Sequence, residues 1–490
     1  MKKHILAFDF GSSFGRAVFV HFNGTSLRLE EIHKFEIEPV SINGHLYWDI
    51  LHLIHEMKTA LLRASLIGDF DSIGIDTWGG DFGLLDRNGV LISNPHIFRD
   101  IWNMEGIRKI ANSNSQKELY KLTGTQITSV GSLSQILAYQ KRQPELFKVA
   151  RTMLPLPDLL IYFLTGIKAT EPSIAATTQL MNPATKKWSD KVCENLGIPI
   201  KILPPITLSG TWRGRLSPEI CKELNISPVN VATICGNSTQ CDVLAVPAKE
   251  PDFIFISCGI LSSFGTELDR PILSEQAAKF GFSNEVGFKG KINFLKKITG
   301  LWLIQEVRRY LRNHGKNYSF SELEQQARKA PPLQCFIDPD SLMFSLSGNI
   351  PELVQEYCRK TDQYIPRNIG EIMRCIYESL ALKYHFTLLE LKACTGKEYN
   401  SIYITGGGAK DKLLCQLIAD ACQISVMTGP VNATIYGNAM MQFMTSNVIP
   451  DVESARELIA GLEPVKKFFP NSEWFDAYDT FEAILKKNIN

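Results

Sequence analysis

The stretch "SIGIDTWGGDFGLLDRNGVLISNPHIFRD" gathers the side chains best suited to hold a polar ligand. A strand delivers Asp76, Thr77 and Trp78 to a Gly79–Gly80 turn, Asp81 follows, and Arg99 and Asp100 end the unit. A carboxylate and an indole beside glycines make a pocket of mixed polarity, the kind that grips a sugar. A β-hairpin with ordinary turn acids accounts for the same residues equally well. A second cluster is "HILAFDFGSSFGRAVFVHF", where an apolar strand runs into Asp9 and a turn of Ser12, Ser13, Gly15 and Arg16. Such turns converge several backbone N–H groups on a phosphate oxygen, and Asp9 at the root is available for a metal ion. Taken alone it is more often a plain hairpin, with Gly11 and Gly15 permitting tight backbone angles. Three consecutive glycines, Gly406, Gly407 and Gly408, follow the strand "IYI". They let a flat ring approach the backbone, although a left-handed turn explains them nearly as well.

The elements that must position these residues are legible in outline. The opening segment reads strand, turn, strand, and "DFIFISCGILSSFGTEL", residues 252–268, repeats that grammar. Two such hairpins suggest two domains of related design. Pro-rich joints occur at "LPLPD" and "ILPPITL". Met373, Tyr377, Leu380, Tyr384 and Leu388 recur at helical spacing on one face, and Gly396 can stop that helix. The expected boundaries are 1–244, 245–450 and a helical tail over 451–490.

A chain of 490 residues is too long for one ordinary core. With 52 Lys plus Arg against 51 Asp plus Glu, its charge gives no reason to expect nucleic acid or an anionic membrane as partner. Small ligands remain open. The opening "MKKHILAFDF" is broken by Asp9 and lacks a small-residue cleavage site, so it does not read as a secretory signal. No uncharged run approaches the roughly 18 residues of a membrane helix. Eleven cysteines without a CxxC pair read as reduced thiols in a cytoplasm. His52 and His55 lack the i, i+4 spacing of a zinc helix and read as a solvated face.

"DFGSSFGRA", "GHLYWDI", "IDTWGGDFGLLD", "FRD", "LPLPDLLIYFLTG", "AATTQL", "ITGLWLIQEV", "GGGAKDKLLCQLIADAC" and "GPVNATIYGN" occur in this order. In these motifs the chain resembles the FGGY carbohydrate kinases, and within them the rhamnulokinases, over nearly its whole length. The resemblance implies an α/β fold of two actin-like (ribonuclease H-like) ATPase domains flanking a central cleft. It implies transfer of the γ-phosphoryl group of ATP, with Mg²⁺, to a hydroxyl of a ketose such as L-rhamnulose. Carried over by position, Ser12, Ser13, Phe14, Gly15 and Arg16 meet the nucleotide phosphates, Asp9 the Mg²⁺ through water, and Gln305 with Gly406 to Gly408 the rest of the nucleotide. Gly79 lines the sugar pocket with Asn237, Ser238, Thr239 and Lys297.

Three positions depart from that pattern. The family's catalytic segment is His-Asp-Thr, its Asp the general base; here it reads Asn237, Ser238, Thr239. A serine hydroxyl is far too weak a base to replace a carboxylate near neutral pH. Ile260 stands in place of a threonine on the second phosphate hairpin, and Lys297 in place of an asparagine. Lys297 adds a cation that favours an anionic ligand, such as a sugar phosphate, if it does not simply point to solvent. Asp242, one helical turn after Ser238, is the candidate substitute base, its ordinary reading being a solvated or capping acid. The expectation is a sugar kinase with impaired activity; the alternative is a pseudokinase that binds a sugar or sugar phosphate and regulates.

Overall fold

A computed structural model describes residues 2–112 and 116–487 of the chain. They form two compact units, each assembled from separate stretches of sequence. The first contains residues 1–245, 267–294 and 433–462; the second contains 246–266, 295–432 and 463–490. Segments 267–294 and 433–450, expected in the second domain, thus pack with the first unit, as does 451–462 of the expected tail. The reason is visible in helix Ala433–Thr445, whose apolar face belongs to the first unit's core with Ile5, Ala7, Val18 and Leu244.

The first unit is built on a six-stranded sheet of β1 (Lys3–Phe10), β2 (Phe14–Phe22), β3 (Leu27–Glu36), β4 (Ser72–Thr77), β5 (Thr211–Arg215) and β6 (Asn230–Thr233). Its order is β5-β6-β4-β1-β2-β3. β1, β2 and β3 form an antiparallel meander, and β4 and β6 run parallel to β1. Both faces are covered, so β1 reads as a largely apolar run and β4 is buried along its whole length. Helix Ile50–Ile67, N-capped by Asp49, buries Leu53, Met57, Ala60 and Leu61 on one face, and helix Ala433–Thr445 covers the other. The second helix brings amides rather than only apolar groups. Asn438 Nδ2 donates to the carbonyls of Phe8 and Gly74, and Gln442 Nε2 to that of Leu6. Gly74 makes this approach possible, since a Cβ there would lie 2.4 Å from Asn438 Oδ1.

The second unit repeats the grammar with β7 (Ile254–Cys258), β8 (Leu261–Leu268), β9 (Ser401–Gly406), β10 (Ser425–Thr428) and β11 (Lys467–Phe468). β7 and β8 form an antiparallel hairpin, β9 pairs parallel with β7, β10 parallel with β9, and β11 closes the edge antiparallel. Both hairpins expected from sequence are therefore present. Helix Ile369–Thr395 buries Met373, Tyr377, Leu380, Tyr384 and Leu388, and Gly396 ends it at φ 65°, in the left-handed region. No helix among the described residues is long and apolar enough to cross a membrane.

Candidate active site

In the first unit the polar residues collect where parallel strands end, the usual ligand position of an open α/β sheet. Asp9 on β1 and Asp76 on β4 are register partners, and a parallel bridge joins Thr77 to Asn237 beyond the end of β6. Asn237 then N-caps helix Ser238–Leu244, its Oδ1 accepting from Thr239 N at 3.2 Å. Its Nδ2 donates to Glu285 Oε2, as does Gln240 Nε2, so two amides hold one buried carboxylate. This chain of caps and bridges fixes Ser238 at the helix start.

Ser238 Oγ lies 2.7 Å from Asp76 Oδ1 and 3.0 Å from the Thr77 carbonyl oxygen. Asp76 Oδ2 accepts from Asn438 Nδ2 at 2.8 Å. Burial, then the neighbouring Asp9 charge, pushes the Asp76 carboxyl well above its ordinary range, against the lowering effect of those two hydrogen bonds. Ser238 itself is half-buried, at the margin of the site. Asp242 Oδ1 accepts from Thr434 Oγ1 at 2.7 Å, and its charge lies near enough to raise Asp76. The helix expected for Asp242 is present, yet the carboxyl beside Ser238 comes from Asp76. In the sequence Asp76 stands out only as part of the stretch that reads as a sugar pocket.

That stretch does fold around a carboxylate. Asp81 Oδ2 accepts from the indoles of Trp48 at 2.6 Å and Trp78 at 2.7 Å, and Oδ1 from Gln135 Nε2 at 3.0 Å. Burial raises Asp81 to about 7 despite these donors. The two indoles pack with ring centroids 4.7 Å apart, and Trp78 remains partly exposed. Gly79 lies against the Thr177 side chain, where an added Cβ would come within 2.7 Å of Cγ2. Glu171, which no sequence signal marked, caps helix Pro172–Thr177 and accepts from Gly236 N at 3.0 Å, next to the 237–239 segment. Burial raises it to about 7.

In the first hairpin turn, Gly11 N donates to the Phe14 carbonyl and Ile37 N to that of Ser13. Ser13 and Phe14 are exposed and Ser12 half-buried. The glycines are present for a different reason from the one expected. Neither has a positive φ, and Gly15 is set by Phe35, whose Cζ would sit 2.3 Å from a Cβ. Arg16 donates through Nε and Nη2 to Asp9 Oδ2, at 2.9 and 2.8 Å. No three-residue His, Cys, Asp or Glu cluster of metal-binding geometry includes Asp9 among the described residues. Asp9 and Asp76, register partners on adjacent parallel strands, offer carboxylate oxygens, the donor type that Mg²⁺ takes.

The second unit holds a cavity of about 790 Å³ lined by Leu301, Ile304, Gln305, Phe320, Arg328, Gly407 and Asp411 among others. Three apolar side chains, Leu301, Ile304 and Phe320, share the lining with two amides, Gln305 and Gln325, and with charges of both signs, a mixture that can take a ligand with a flat apolar part and a charged part. The glycines divide the work. Gly406 has φ 72°, so it serves the left-handed turn. Gly408 abuts Cys258 Sγ, 2.4 Å from an added Cβ. Gly407 meets nothing closer than Leu301 Cδ1 at 3.5 Å, so its bare face borders the cavity. Tyr377 OH donates to Asp411 Oδ2 at 2.6 Å and steadies that rim.

Ile260 is exposed at the β7–β8 turn. The turn is tied to the start of helix Trp302–Asn313, with Leu301 N donating to the Gly259 carbonyl at 2.8 Å and Gly300 N to that of Ile260 at 3.1 Å. The position is thus well fixed and carries no hydroxyl. Lys297 lies on strand Ile292–Thr299 and is exposed, while Ile298 beside it is buried.

Comparisons with known proteins agree with this arrangement. The model of the N-terminal domain of the FGGY family of carbohydrate kinases matches residues 4–243, and that of the C-terminal domain matches 254–446. A rhamnulokinase of Bacteroides thetaiotaomicron is 34% identical over 492 residues, covering 99% of this chain and 100% of the relative. A rhamnulokinase of Enterococcus faecalis is also 34% identical, over 99% of this chain and 98% of its own. Among solved structures, Plasmodium falciparum glycerol kinase with ADP matches with TM-score 0.82 at 16% identity, over 100% of this chain and 99% of that one. A xylulose kinase from Lactobacillus acidophilus matches with TM-score 0.81 at 16% identity, over 99% and 97%. The fold is the two-domain actin-like α/β architecture, and the chain belongs to the FGGY family of carbohydrate kinases.

Proposed function

We propose that this chain transfers the γ-phosphoryl group of ATP, with Mg²⁺, to a hydroxyl of a ketose such as L-rhamnulose, at a rate held down by the alcohol at position 238. The relatives named rhamnulokinase support the reaction class and the acceptor. A reduced thiol inventory and the absence of a membrane-crossing helix among the described residues are compatible with a cytoplasmic enzyme of small molecules.

One observation carries the reduced rate. The hydroxyl at the expected base position is spent on Asp76 and the Thr77 carbonyl. Loss of a general base typically costs about 10²–10⁴ in rate, about 3–5 kcal/mol of barrier. Phosphoryl transfer depends mainly on positioning and charge neutralisation, so turnover falls without vanishing. The remaining proton path is short. As the sugar oxygen bonds to the γ-phosphorus and the bond from that phosphorus to the leaving ADP oxygen breaks, the sugar proton passes to Ser238 Oγ while the Ser238 proton passes to Asp76 Oδ1.

A coupled ADP-release assay with L-rhamnulose, L-fuculose and related ketoses tests the reading. Slow, sugar-dependent ADP formation supports it; none across the panel removes it. A second reading, a pseudokinase that binds a sugar or sugar phosphate, draws on Ile260 and on the burial of Asp76, which raises its pKa and so disfavours the ionised form that a base needs. Binding of the same ketoses with no turnover would favour that reading.

A further inference from the structure

Apart from the nucleotide cavity, three cysteines of the second unit converge. Cys335 lies in an irregular segment, Cys358 near the end of helix Ile350–Lys360, and Cys375 in the second turn of helix Ile369–Thr395. All three are buried, their sulfurs lie within 4.8 Å of one another, and none is in a disulfide. A buried cysteine usually packs as a small hydrophobe, which gives no reason for three sulfurs from three segments to share one point.

The surrounding hydrogen bonds hold those segments together. Phe336 N donates to Gln363 Oε1 and Gln363 Nε2 to the Phe336 carbonyl, both at 2.8 Å, while Gln363 N reaches the Cys358 carbonyl at 3.0 Å. Ile337 N donates to Ser379 Oγ at 2.9 Å, and Ser379 Oγ to the Cys375 carbonyl at 2.6 Å. The backbone after Cys335 is thereby fastened to the elements carrying both other thiols, the kind of outer support that orients ligands.

We propose that Cys335, Cys358 and Cys375 form a three-coordinate site for a soft d¹⁰ ion, copper(I). Thiolate ligands select soft ions over Mg²⁺ or Ca²⁺. Structural zinc almost always takes four ligands, and no fourth His, Cys, Asp or Glu atom joins this set among the described residues. The ion binds the three sulfurs as thiolates and displaces their protons to solvent, with no change in oxidation state.

The test uses the reduced full chain, titrated anaerobically with copper(I) against a copper(I)-selective chromophoric chelator, alongside X-ray absorption of the loaded protein. The proposal predicts one tightly held copper with a shell of three sulfurs. Cys375→Ser should lose that copper, at least tenfold in affinity, while its ADP affinity, read by calorimetry, is unchanged. Copper held equally by a Cys335→Ser, Cys358→Ser, Cys375→Ser triple variant, or a shell containing nitrogen or oxygen, overturns it. If the variants fail to fold, the sulfur count on the unaltered protein decides alone. None of these readouts depends on kinase activity.

Discussion

Ser238 and Asp76, 162 residues apart in sequence, meet at 2.7 Å with the serine hydroxyl on the aspartate carboxyl. The contact puts an acid one hydroxyl behind the place where a base is expected, and it determines how the remaining activity should behave.

Replacing Asp76 with Asn keeps a similar shape while removing the proton acceptor. Sugar-dependent turnover should fall by at least about tenfold, because the amide cannot take the proton passed through Ser238. Asp76 works only when ionised, and burial with Asp9 and Asp242 nearby raises its pKa, while Asn438 and Ser238 lower it. Wild-type turnover should therefore climb with pH along a limb above the ordinary carboxylate range, and Asp76→Asn should flatten that limb. An unchanged pH–rate profile in the variant would remove Asp76 from the proton path.

Ile260→Thr should tighten nucleotide binding. The turn is already fixed by its bonds to Gly300 and Leu301, so the substitution adds a hydroxyl without new ordering of the backbone. One hydrogen bond contributes about 0.5–1.5 kcal/mol, which is a gain of about two- to tenfold in ATP affinity by calorimetry. No gain would mean that the phosphates do not reach this turn.

Gly407→Ala separates folding from binding. The new methyl meets only ordinary contacts within the protein, so melting should be nearly unchanged. It projects at the cavity border, where crowding of a bound ring costs about 1–3 kcal/mol, roughly five- to 150-fold in ADP affinity. Unaltered ADP affinity would place the nucleotide elsewhere.

Glu171 sets a pH window for stability. Its folded pKa is raised from 4.5 to about 7, so between those values the folded state holds more protons than the unfolded chain. Stability associated with this group is complete below about pH 4.5 and is lost as pH rises towards 7, by at most about 1.4 kcal/mol per unit. Glu171→Gln lacks that loss. The stability of the variant relative to wild type should increase across the window in denaturant titrations at pH 5, 6, 7 and 8, then level off; a constant difference would contradict the raised pKa.

Local grammar was readable without coordinates. Both hairpins, the long helix ending at Gly396 and the order of the motifs depend on neighbours in sequence, and all are present. Tertiary closure was not readable. Gly15 owes its presence to Phe35 across the sheet rather than to its own backbone angles, and Asp242 is turned to use by Thr434, which lies 192 residues away. Asn438 marks the same limit: nothing in "YGNAM" announces that its amide holds Asp76, 362 residues earlier. Helix Ala433–Thr445 was assigned by position to the second domain, whereas packing against β1 and β4 decides its place.

The most direct measurement is the rate of L-rhamnulose-dependent ADP formation by the Asn237→His, Ser238→Asp double variant beside the wild type. Restoring a carboxylate at position 238 should raise turnover by about 10²–10⁴. A variant no faster than a slow wild type, or a wild type already turning over at the typical 1–10³ s⁻¹ of enzymes, would contradict the claim that the alcohol at this position limits the reaction.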